Sequence, residues 1–314
     1  IAGNWINNGT FTRRTGTVVF DGTTVISGST APSFNNVTIS GTALTLPSGL
    51  TTDVSGNWNQ SAGTLTATGS TLQFSGSSQN IAPGGQSFNH VTISGAGTKM
   101  LTGAGTIAGV LTLSAGTFDA SGQTLNLQGN FISNSASVLT TSTLTFSGTT
   151  VLSGSINPTF GSVTVSGTFS PASNFNINGN LVNNGTLNAS AGTVTFGGST
   201  AISGSNVCTF NNVTISNTLT APAGNLNVAG VWTNNGTFTS NGGTVTFTGT
   251  NSIAGSSATN FNHIAIGATG TLTAPTTLNV AGNFTNNGSF NRGAGTVVFN
   301  GSGTQSISGT AVTD

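Results

Sequence analysis

Short runs in which Val, Ile, Leu or Phe alternate with Thr, Ser, Asn or Gln recur along the whole chain, as in Thr17-Val18-Val19-Phe20, Thr193-Val194-Thr195-Phe196 and Val213-Thr214-Ile215. Each run stops at Gly, Asn-Gly or Ser-Gly. A period of two between turn residues predicts short β-strands with one buried face. No stretch carries the 3.6-residue period of an amphipathic helix, so an all-β chain is expected.

The runs come in a fixed order. Gly3-Asn4-Trp5 returns as Gly56-Asn57-Trp58, Gly129-Asn130-Phe131, Gly179-Asn180-Leu181, Gly230-Val231-Trp232 and Gly282-Asn283-Phe284. Each time it opens the series G-N-W, N-N-G-T-F, G-T-V-x-F, I-S-G, F-N-N-V-T-I-S, T-L-T and L-x-V. The G-T-V-x-F phrase ends at Phe20, Phe74, Phe146, Phe196, Phe247 and Phe299. The F-N-N phrase begins at Phe34, Phe88, Phe160, Phe210 and Phe261, each time 14 residues further on. Together with Trp5, Trp58 and Trp232 these aromatics read as a structural ladder, because they follow the repeat and converge on no single place.

A repeat of about 51 residues points to a solenoid, in which each coil pairs only with its neighbours. Six short strands per repeat fold into two coils of about 25 residues with three strands each. The expectation is a parallel β-solenoid, or β-helix, of about 12 coils, forming a single continuous domain over residues 1–314. At ~4.8 Å per coil it would be a rod of roughly 60 Å. Val18-Val19-Phe20 is then expected beneath Leu44-Thr45-Leu46, and Gly9-Thr10-Phe11 beneath Val37-Thr38-Ile39. Inward residues are expected to stack like on like, Phe over Phe or over an aliphatic residue, with Asn and Gly at the corners and Asn side chains bonding along the stack. The second repeat is longer, and its surplus near 95–113 has strand-like phrases of its own, which predicts one inserted coil. A β-propeller would not absorb such an insertion, and tandem β-domains would need linkers that the sequence lacks. The chain begins and ends inside a repeat without a polar cap, which suggests either an excerpt of a longer array or ends that pair with further copies.

Composition narrows the function. Only four Lys+Arg and four Asp+Glu occur in 314 residues. Arg13, Arg14, Lys99 and Arg292 cannot form the basic surface that nucleic acid requires. No apolar run approaches the ~20 residues of a membrane-spanning helix, and the first residues lack the charged and apolar regions of a signal peptide. One cysteine, Cys208, rules out an intrachain disulfide framework.

Candidate chemistry is sparse. Asp21, Asp53, Asp119 and Asp314 are the only carboxylic side chains, and the first three read as turn or surface groups rather than a catalytic pair. His90 and His263 fill the third position of the F-N-N phrase, where Asn36 and Asn212 stand in other repeats, and so read as members of a polar row. Their separation along the chain is too great for a shared metal. Cys208 occupies a slot held elsewhere by Pro32, Gln86, Pro158 and Thr259, which reads as a variable turn open to an occasional intermolecular crosslink. Thr143/Thr145, Thr193/Thr195 and Thr244/Thr246 fit an ice-binding array, but Thr17/Val19, Thr71/Gln73 and Thr296/Val298 break it. No catalytic, cofactor-binding or metal-binding residue is expected. Sequons such as Asn8-Gly9-Thr10, Asn184-Gly185-Thr186 and Asn235-Gly236-Thr237 follow from the repeat phrase itself.

With G-N-W-x-N-N-G-T-F, G-T-V-x-F, I-S-G and F-N-N-V-T-I-S in hand, the chain resembles the repeat regions of giant bacterial surface proteins of the filamentous-haemagglutinin-like and adhesin type. The resemblance implies an extracellular or cell-surface β-solenoid that builds a rod, stalk, filament or matrix fibre without catalysis. The partners so implied are copies of itself or adjacent repeats of a longer chain. The alternative is an adhesin face that binds surface glycans.

Overall fold

The computed structural model describes residues 1–312. It is all-β, without helix among the described residues, and its strands stack in parallel as a β-solenoid. The coils recur about every 19 residues, giving about 16 of them rather than the expected 12. Two compact units, Ile1–Pro158 and Thr159–Asp314, are each built this way.

The coil is shorter than expected because the repeat holds eight strands, not six. Between Trp232–Asn234 and Phe284–Asn286 lie Thr237–Thr239, Thr244–Phe247, Thr250–Ala254, Asn260–Phe261, His263–Ile266, Thr271–Thr273 and Thr277–Val280. At three strands per coil, eight strands make two and two-thirds coils. The additional strands come from phrases that turn a corner. In Cys208–Ile215 the alternation of buried and outward residues breaks at Asn211 and Asn212, so Phe210 and Val213 both point inward. The first half pairs with Leu226–Val228 and the second half with Trp232–Asn234.

The registers follow from this count. Val18, Val19 and Phe20 lie beside Val37, Thr38 and Ile39 rather than Leu44 to Leu46, and Val37 to Ile39 continue onto Trp58, Asn59 and Gln60 rather than standing over Gly9 to Phe11. Like phrases in successive repeats therefore occupy different faces. In the first unit Trp5 stacks on Ile26, Trp58 belongs to the column Val18, Val37, Trp58, Ile81, and Phe131 lies between Leu111 and Leu152. In the second unit Leu181 stacks on Ile202, Trp232 belongs to the column Val194, Val213, Trp232, Ile253, and Phe284 to Leu226, Val245, Ile264, Phe284, Ile307.

Residues 98–113 of the long second repeat supply Thr98–Leu101, Gly105–Ile107 and Leu111–Leu113. These three strands form one coil, with Gln79–Ala82, Ser87–Phe88 and His90–Ile93 on one side and Thr117–Asp119, Thr124–Leu127 and Phe131–Ser133 on the other.

The core is a stack of Phe and aliphatic side chains. Phe20, Phe74, Phe146, Phe196 and Phe247, with Phe34, Phe88, Phe160, Phe210 and Phe261, are all at most 3% exposed, as are Trp58 and Trp232. Trp5 is half-buried, and Phe299 is 37% exposed. Along a column these ladder Phe residues meet aliphatic residues, not another Phe: Phe74 on Ile93, Phe196 on Ile215, Phe88 on Ile107 and Phe210 on Val228. The spacing of 14 has a different origin, since it joins two Phe across the interior of one coil. Ring centroids are 5.8 Å apart for Phe20 and Phe34, 6.3 Å for Phe74 and Phe88, 5.8 Å for Phe196 and Phe210, and 5.9 Å for Phe247 and Phe261. Such pairs contribute about 0.5–1.5 kcal/mol beyond simple burial.

Candidate functional site

The polar phrases are spent on holding one coil to the next. The third residue of F-N-N offers an acceptor to the backbone N–H of the G-N-W phrase one coil on. Asn36 Oδ1 accepts from Asn57 N at 2.8 Å, Asn212 Oδ1 from Val231 N at 2.8 Å, and Ser162 Oγ from Asn180 N at 3.3 Å. His263 Nδ1 accepts from Asn283 N at 2.8 Å in the same way, and His90 Nδ1 accepts at 2.9 Å from Val110 N, which stands in the corresponding place in the inserted coil. Both imidazoles thus replace a carboxamide, and an accepting Nδ1 requires that the ring proton sit on Nε2. The glycine of G-N-W makes room for this acceptor: a Cβ at Gly230 would lie 2.2 Å from Asn212 Oδ1, and one at Gly282 2.5 Å from His263 Nδ1.

A second set runs from N-N-G to I-S-G. Asn8, Asn134, Asn184 and Asn235 each accept through Oδ1, at 3.0 Å, from the N–H of Ser29, Ser155, Ser205 and Ser256, and Asn287 does so from Thr310 at 3.1 Å. The Asn side chains do bond along the stack, but to backbone N–H groups rather than to one another. The glycine of I-S-G is required by two constraints at Gly204: its φ is +113°, and a Cβ would stand 2.2 Å from the carbonyl oxygen of Asn183.

A third set went unnoticed in the sequence because its residue type varies. Gln79 Nε2 donates to the carbonyls of Val54 and Gly56, Asn251 Nδ2 to Val228 and Gly230, and Gln305 Nε2 to Val280 and Gly282. Each also accepts, from Gly76, Gly249 and Gly301 respectively. Only the position, a polar side chain turned inward at a corner, is kept.

The remaining titratable groups are likewise tied to structure. Arg13 pairs with Asp53, and its Nη1 also donates to Ser33 Oγ at 2.9 Å. Asp21 is exposed, and Asp119 accepts from Ser121 N at 2.9 Å in a turn. Asp314 lies outside the described residues. Lys99 is buried and points inward from its strand, where Nζ donates to the carbonyls of Gly95 and Ala96, both at 2.8 Å. Burial lowers its pKa. Cys208 is not in a variable turn. It opens Cys208–Ile215, is 1% exposed, and stacks between Leu187 and Leu226. Burial pushes its thiol up to about 12, although a hydrogen bond with Asn183 acts in the opposite direction. A thiol so enclosed cannot crosslink to another chain while the coil is closed. Among the described residues no three of His, Cys, Asp and Glu come together as metal ligands would.

Two open grooves repeat on the second unit. One, of about 460 Å³, lies between the loop Ile202 to Val207 and the turn Pro222 to Asn225, with Asn241 at its edge. The other, of about 440 Å³, lies between Ile253 to Thr259 and Pro275 to Leu278. Both form where the I-S-G loop of one coil overhangs the turn after T-L-T in the next. No charged or aromatic side chain lines either. A hollow of about 280 Å³ beside Phe284, Phe290, Phe299 and Ile307 is walled by the columns that fill the interior upstream. No protein-family model, curated protein or solved structure matches the chain.

Proposed function

We propose that the chain is a structural, non-catalytic repeat segment of an extracellular bacterial surface protein, contributing stacked β-coils to a stalk, filament or matrix fibre. The observation that carries this reading is the use of the polar residues. The F-N-N and N-N-G acceptors close a bond between coils at the same place in successive repeats, and the inward Gln or Asn does so in three of them. Chemistry that in an enzyme would converge on substrate is distributed here along the stack. His90 and His263 illustrate the point, since each uses its free ring nitrogen on a backbone N–H. The small number of charges also suits a protein exposed to changing ionic conditions.

The test has two arms. Far-ultraviolet circular dichroism should show β structure, and digestion with proteinase K should leave the chain essentially intact; trypsin is a poor probe because only four Lys+Arg are present. Antibodies raised against the chain should then label the outside of intact source cells. A flexible, rapidly digested chain, or label found only after lysis, would overturn the proposal.

A further inference from the structure

We infer that Asn184 and Asn241 are sites of spontaneous deamidation, and that the fold protects the other Asn-Gly peptides of the chain from it. Asn-Gly occurs seven times in the sequence. The chemistry needs only the chain and water. The backbone nitrogen of the glycine attacks Cγ of the asparagine, and the new N–Cγ bond closes a succinimide ring. The Cγ–Nδ2 bond breaks, and the departing nitrogen takes the proton that the glycine amide gives up and leaves as ammonia. Water then opens the ring at either carbonyl, giving aspartate or isoaspartate. Glycine is the most permissive neighbour because no Cβ crowds the attacking nitrogen.

What differs among the seven is the freedom of that nitrogen. In three N-N-G corners the first Asn holds it: Gly9, Gly236 and Gly288 donate their N–H to the Oδ1 of Asn7, Asn234 and Asn286 at 3.4, 3.1 and 3.2 Å. After Asn178, Gly179 donates to the carbonyl of Gly161 at 3.1 Å, and after Asn300, Gly301 donates to Gln305 Oε1 at 3.2 Å. The N–H groups of Gly185 and Gly242 have no acceptor among the described residues. At Gly185 the holding side chain is present but turned away. Asn183 gives its Nδ2 to the carbonyls of Asn206 and Val207, and its Oδ1 is buried without a partner. Gly242 is the tip of a turn that closes one residue later, where Gly243 N–H donates to the Ser240 carbonyl at 3.0 Å.

The carbon under attack does not make this distinction. Asn8, Asn184, Asn235 and Asn287 are all exposed, and each accepts a backbone N–H of the next coil through Oδ1. Asn241 is exposed too, and its bond from Nδ2 to the Ala221 carbonyl at 3.2 Å steadies the carboxamide without covering the glycine. A held amide must give up its hydrogen bond before it can turn towards Cγ, so the hold raises the barrier. Each conversion puts a carboxylate into a chain of formal charge zero. The isoaspartyl product also routes the main chain through the former side chain. That lengthens the corner feeding Thr186–Phe196 or the turn before Thr244–Phe247 by a methylene group.

Peptide mapping by mass spectrometry tests this on the native full chain, incubated at about pH 8 and 37 °C, then quenched and unfolded in acid and cut with pepsin so that each Asn-Gly is read separately. Asn184 and Asn241 should convert about tenfold faster than any of the five held sites, the factor that one such hydrogen bond confers on a rate. A parallel sample kept unfolded in guanidinium chloride during the incubation is the control. There the hold is gone, and the gap between the two groups should close. Failure of either Asn184 or Asn241 to outpace every held site in the native chain, or a gap that survives unfolding, would overturn the inference.

Discussion

His263 shows how a residue can be foreign to a row and still perform its function. Its Nδ1 receives the Asn283 N–H at 2.8 Å, as Asn212 Oδ1 receives Val231 N–H. His263→Leu should leave that backbone donor without a partner, at a cost of about 1–3 kcal/mol, whereas His263→Asn should restore most of the loss. Amide exchange at Asn283 is the direct readout, because opening in a repeat protein is local. Cys208 makes the opposite case, a polar-capable side chain used as an apolar one. Its folded-state pKa, about 12, lies above the ordinary 9.0. The unfolded thiol therefore ionises first as pH rises, and the contribution is complete below pH 9 and is progressively lost towards pH 12. The difference in stability between wild type and Cys208→Val, followed by denaturant titration from pH 8 upwards, should shift in favour of the variant across that window. Below pH 9 the swap should cost about 1–3 kcal/mol, since Val adds bulk to a closed column and gives up the hydrogen bond with Asn183.

At the level of strands, the phrases, their β character and a coil-sized surplus near 95–113 could be read from the sequence, but the length of a coil could not. The obstacle is local. Phe210 and Val213 stand three apart and both point inward, so the hydrophobic pattern runs through the corner at Asn211 and Asn212 without a Gly or Pro to mark it. One phrase passes for one strand when it supplies two, and dividing 51 residues into two coils then displaces every register. The inward Gln79, Asn251 and Gln305 were hidden for a related reason, since their slot conserves a hydrogen-bonding pattern rather than a residue. The grooves were invisible because their walls meet only when coils are stacked at the observed register. The unit of length that the structure tolerates follows directly. Deleting residues 94–113 removes one coil and joins Ile93 to Ser114, leaving later phrases on their own faces. That variant should keep its β spectrum and protease resistance. Deleting only 94–103 removes about half a coil, turns apolar positions outward, and should give an aggregated or digestible product.

For the molecule as a whole, neutrality is the governing property. Arg13 and Asp53 form the one side-chain ion pair among the described residues, and stability rests on apolar columns and backbone pairing. Thermal unfolding should therefore change little between 0.02 and 0.5 M sodium chloride, while sodium sulfate should raise the transition by strengthening burial. A large downward shift in sodium chloride would show that charge contributes more than this count allows. The rotation of the repeat by two-thirds of a coil bears on how such a chain finds its fold. Had the period matched one coil, every rung would look like the next, and a nascent chain could settle one rung out of place without penalty. Here Val194, Val213, Trp232 and Ile253 follow one another down a column, each from a different phrase. A slipped rung would set a Cβ against an acceptor, or an acceptor against nothing, within a few residues. The repeat thus carries its own error check, and it does so through the very irregularity that keeps identical segments from lying side by side.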